Sequence, residues 1–158
     1  MLPRSDRTIV IHHFGQEPFE TSPEDMTALA QSVFPLADRV AGAVGEAFDF
    51  ASWYGAWRSR HGIEESAAIP THLKVEAADA FEALIPWEQL KDAAVQYAID
   101  GEHLPMGPIR LYVPNGSSEC LNVKHVVACH FIHEEAHRGE VSYGFKSSFS
   151  PDDLRKQR

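Results

Sequence analysis

Apolar positions along this chain follow two rhythms. Near the N-terminus, Thr8-Ile9-Val10-Ile11-His12-His13-Phe14 is β-branched and closed by Gly15, which predicts a short strand. Thr21-Ser22-Pro23-Glu24-Asp25 then carries a helix start. Ser22 can cap, Pro23 suits the first helical position, and the two acids complement the positive helix end. The spacing carries this helix to about Val33, before Pro35 breaks it. Leu36, Val40, Val44 and Phe48 recur every fourth residue and predict a second helix, although Gly42 and Gly45 weaken it. Phe50, Trp53, Tyr54 and Trp57 predict a third helix, stopped by Gly62.

Beyond a loop over 64–70, Thr71 to Val75 reads as a short strand. The Ala-rich stretch from Glu76 to Leu84 and the stretch from Trp87 to Ile99 both read as helices. After Gly101 the texture changes. Pro108 to Val113 alternates like a strand, and Pro114-Asn115-Gly116-Ser117-Ser118 is a turn. Val126 to His133 and Val141 to Phe149 read as the arms of a hairpin around Arg138-Gly139, with Val141, Tyr143 and Phe145 on one face. The expected fold class is therefore α+β. An N-terminal part of four or five helices packs on a small, mainly antiparallel sheet that ends in a C-terminal β-hairpin. One domain is expected over 1–150, with a polar tail over 151–158.

Composition narrows the function classes. The 158 residues are 44% hydrophobic and carry a formal charge of −9. A chain this acidic lacks the basic face that phosphate binding needs, so nucleic acid is not the expected partner. It is instead steered towards a protein with a basic surface. No apolar run approaches a membrane span. With only Cys120 and Cys129 present, a disulfide scaffold is not expected, and the chain is placed in a reducing compartment, the cytoplasm.

One motif could carry chemistry. His133-Glu134-Glu135-Ala136-His137 matches H-E-x-x-H and resembles the zincin metalloproteases. The resemblance implies Zn²⁺ as cofactor, His133 and His137 as ligands and Glu134 as general base. On a helix, Cys129 would fall on the same face, four residues back. Against a helix here stand the β-formers Val123, Val126, Val127, Phe131 and Ile132. In a hairpin the two histidines would lose their common face, and no cofactor would be expected. Ile11-His12-His13, at the end of the first strand, also resembles a metal-ligand segment of the zinc amidases that cut bacterial cell walls.

Two functions of different class follow. The first is a non-enzymatic acidic binding protein that inhibits or neutralises a partner, by analogy with immunity proteins and phage-encoded inhibitors of host defence. Trp53, Tyr54, Trp57 and Arg58 are its candidate anchors, since Trp, Tyr and Arg are enriched at binding hot spots. The same stripe has a simpler reading as core. The second is a small zinc hydrolase built on the H-E-x-x-H residues.

Overall fold

The computed structural model describes residues 7–145. It is dominated by strands. Among the described residues there are two α-helices and a sheet system of 11 strands, not four or five helices on a small sheet. The expected polar tail over 151–158 and the last part of the expected hairpin arm lie outside the described residues.

Two of the expected helices form, the one with the Ser22-Pro23 start signal and the one with the aromatic spacing from Phe50. Helix α1 (Pro23–Ala30) is capped by Ser22, whose hydroxyl accepts the Asp25 N–H at 3.1 Å, and it stops at Gln31 in the left-handed region. Helix α2 (Phe50–Arg60) is capped by Asp49, which accepts from the Ser52 N–H at 2.8 Å and is itself held by Arg39 at 2.6 Å.

The other predicted helices are strands or turns. Leu36 to Phe48 becomes a short 3₁₀ turn (Leu36–Asp38) followed by strand β4 (Glu46–Asp49), after the two-residue β3 (Phe34–Pro35). Gly42 and Gly45 have φ of +83° and +92°, and a Cβ on Gly45 would stand 2.5 Å from the Ala98 carbonyl oxygen. This close approach of backbone to backbone explains both the glycine and the missing helix.

Glu76 to Leu84 instead spans the end of β5 (His72–Ala77), a turn over 78–80 and the start of β6 (Phe81–Pro86), which pair as a hairpin. Leu73, Val75 and Ala77 face the core, as do Ala83 and Ile85 across from them, while Lys74 and Glu76 lie on the other face. Pairing on both flanks overrides the local helical preference of alanine. Trp87 to Ile99 becomes a 3₁₀ turn (Trp87–Leu90) and β7 (Ala94–Ile99), with Asp92 at φ +66° between them.

The sheet is organised around β10 (Val123–Ile132). It pairs antiparallel with β5 and with β9 (Ile109–Tyr112), and parallel with β1 (Ile9–His13), placing His12 beside His130 and His13 beside Phe131. The short β2 (Phe19–Thr21) flanks β1, and β8 (Glu102–His103) flanks β7. The expected C-terminal hairpin is not formed: β11 (Ser142–Phe145) pairs with β6 instead of β10. The main strand order is β11-β6-β5-β10-β9-β7-β4-β3.

One main core lies between this sheet and the helices. Trp53, Trp57, Phe48, Phe131, Ile9, Ile11 and Leu73 are almost wholly enclosed in it. Each large apolar side chain buried in this way contributes about 1.5–3 kcal/mol. No described helix is long and apolar enough to cross a membrane.

Candidate functional site

Strands β1 and β10 run parallel, and their C-terminal ends open on a cleft of about 500 Å³. Alternation along β1 decides which histidine does what. His13 shares the inward phase of Ile9 and Ile11 and is buried, whereas His12 faces outward. The His13 Nδ1–H donates to the Phe14 carbonyl at 2.8 Å, leaving Nε2 to accept the Tyr54 hydroxyl at 2.7 Å. Burial holds the His13 pKa below its ordinary value and pushes that of Tyr54 up, so both are neutral near pH 7.

On the outer face, the His12 and His130 rings stack at 4.3 Å, 3° from parallel. His130 Nε2 lies 2.8 Å from a Glu76 carboxylate oxygen, close enough for an ion pair but not aligned as a hydrogen bond. Burial, and then the Lys74 charge, lower the His130 pKa.

The H-E-x-x-H residues do not lie on a helix. His133 follows the end of β10, and His137 closes a 3₁₀ turn (Glu135–His137). The His133 Nδ1–H donates to the Ile69 carbonyl at 2.9 Å. His137 Nδ1 donates to Glu140 at 2.7 Å, and its Nε2 lies 3.8 Å from Glu134. The hydrogen bond to Glu140 is the main cause that raises the His137 pKa. Cys129 points into the core, where burial pushes its thiol up to about 12 and keeps it protonated. Cys120 is exposed on a separate 3₁₀ turn (Glu119–Leu121). Among the described residues, no three His, Cys, Asp or Glu side chains are arranged to hold a metal ion.

The candidate anchors divide by solvent access. Trp53, Tyr54 and Trp57 are core residues, 1%, 5% and 2% exposed. Arg58 is half-buried, donates to the Glu64 carbonyl at 2.8 Å and lies over the Tyr54 ring, tying the following loop to α2. The large apolar side chains left in solvent include Val141 and Tyr143, 40% and 48% exposed, together with Phe145. They surround β11, an end strand with no described strand along its outer edge. Glu134, Glu135 and Glu140 are exposed on the segment leading into it.

Sequence reasoning put Val141, Tyr143 and Phe145 on one face, but not at a sheet edge. The His12–His130 pairing depends on a parallel contact between strands more than 100 residues apart, and no local signal carries it. No protein-family model matches this chain, and a search of curated proteins finds no significant relative.

Proposed function

We propose that this chain is a non-enzymatic acidic binding protein that neutralises a partner protein by adding an extended, basic segment of it to the outer edge of β11. One observation carries this reading. Among the described residues no strand pairs along the outer edge of β11, which has no charge or proline over Ser142–Phe145 and carries the exposed Tyr143, with the exposed Val141 just before it. Sheets usually blunt such an edge. The opposite end of the strand order is blunted in this way, because β3 has two residues and one is Pro35. An incoming strand would gain main-chain hydrogen bonds from β11 and apolar contacts from alternate side chains.

Charge supports the same reading. Glu134, Glu135 and Glu140 stand beside Arg138 and His137, which leaves this border negative in a protein already at −9. A partner strand with Lys or Arg at one end is therefore favoured and steered.

The test uses fluorescence anisotropy with labelled peptides that alternate apolar residues with lysine. The same peptides with glutamate, or with a central proline, serve as controls. Saturable binding of the lysine peptide alone, weakening as salt rises and lost in Tyr143→Lys, is the expected result. Equal binding of the glutamate peptide, or full binding by a well-folded Tyr143→Lys variant, would reject the reading.

A further inference from the structure

A second region, away from β11, has the features of a small-molecule site. Helices α1 and α2 and strand β2 enclose a pocket of about 590 Å³, within the range of pockets that hold small ligands. Its apolar wall is made by Phe19, Leu29 and Trp57. The His61 ring stacks on Trp57 at 4.1 Å, and Phe19 meets His61 edge-on at 4.5 Å. Trp57 is 2% exposed, and its indole N–H is a buried donor with no hydrogen-bond partner among the described residues. A buried donor left unpaired is uncommon and costly.

Two opposite charges line the same pocket. Arg60 and Asp25 are both exposed. Among the described residues neither side chain makes a hydrogen bond or ion pair, and they do not pair with each other. The nearby acid on α1, Glu24, is already engaged by Arg7 and His103. A simple anion would satisfy Arg60 and be repelled by Asp25. A simple amine would do the reverse. A ligand carrying both charges and a ring satisfies all three surfaces.

We propose that this pocket binds a free aromatic α-amino acid. Its carboxylate faces Arg60, its ammonium faces Asp25, and its ring lies against Phe19, Leu29 and Trp57. The reading is independent of the β11 edge, so either can fail without the other.

Two-dimensional NMR of the ¹⁵N-labelled protein, titrated with phenylalanine, tests it. Saturable shifts are expected at the Trp57 indole N–H and at residues of the facing turns of α1 and α2. Phenethylamine lacks the carboxylate and 3-phenylpropionate lacks the ammonium, so each should bind about tenfold more weakly. Alanine, without the ring, should produce no saturable shift. Arg60→Gln should weaken phenylalanine by about tenfold but should not weaken phenethylamine, and Asp25→Asn should do the same for phenylalanine but should not weaken 3-phenylpropionate. Both positions are exposed, and an unchanged spectrum of the free variants checks that they fold. Absence of saturable shifts, shifts confined to another region, or equal binding of the one-charge analogues would overturn the proposal.

Discussion

His13 and His137 show how two regions of this molecule treat the same side chain. His13 is enclosed between Phe131 and the aromatic face of α2, and both ring nitrogens have fixed neutral partners. His137 lies on an exposed turn between two carboxylates. Burial lowers the first pKa, and the bond to Glu140 raises the second. The histidine whose protonation the fold resists is structural. The one whose protonation its neighbours favour sits beside the edge that we assign to partner binding. The core region carries stability, and the segment over 133–145 carries surface chemistry.

The largest expected effect tests that division directly. Trp53→Ala should cost about 3–5 kcal/mol, because it empties a large, enclosed site. Tyr143→Ala should change stability by no more than about 0.5 kcal/mol. Urea denaturation of both variants measures this. A Tyr143→Ala loss equal to that of Trp53→Ala would make β11 part of the core and end the comparison.

Next in size is the His13–Tyr54 contact. Tyr54→Phe removes one buried hydrogen bond and should cost about 1 kcal/mol. The same site predicts a pH dependence. The folded pKa of His13 lies below the ordinary 6.5, so between those two values the unfolded chain binds the proton and the folded chain does not. Stability should be intact above pH 6.5, fall as pH drops towards the folded value, and level off below it. His61 and His130 are shifted the same way and add to the slope. His13→Gln should therefore reduce the slope without abolishing it, as read from urea midpoints across pH. An unchanged slope would mean that His13 is not held neutral by the fold.

The pattern of what the sequence revealed follows the same physics. Helices α1 and α2 are legible from neighbouring residues, α1 from its Ser22-Pro23 start signal and α2 from the aromatic spacing that begins at Phe50. Strands β1 and β9 were legible by their β-branched or alternating texture. Thr71 to Val75 reads as a strand and lies largely in β5, but Glu76 to Leu84 reads as helix because Ala77, Ala78, Ala80 and Ala83 favour helix locally. The alternation of Leu73, Val75 and Ala77 against Lys74 and Glu76 was the better signal. The expected hairpin failed for a different reason. Alternation identifies a strand but not its partner, and β11 crosses to β6 for its hydrogen bonds. The candidate site shared that limit. The H-E-x-x-H spacing puts its two histidines on one face only on an α-helix, whereas His133 here follows the end of β10 and His137 closes a 3₁₀ turn.

The smallest expected effect concerns protonation alone. In an NMR titration of the histidine ring protons, His137 should titrate above 6.5 and His130 below it. Glu140→Gln should bring His137 down, because it removes the carboxylate that accepts from Nδ1 at 2.7 Å. Glu134→Gln should move it less, since that oxygen is 3.8 Å from Nε2 and makes no hydrogen bond to it. Neither variant should shift the urea midpoint appreciably, because all three side chains are exposed. If Glu134→Gln instead produced the larger shift, the pair inside H-E-x-x-H would be the dominant interaction. The chemistry of the segment would then centre on Glu134 and His137. The order of the two shifts therefore decides which carboxylate sets the protonation of His137.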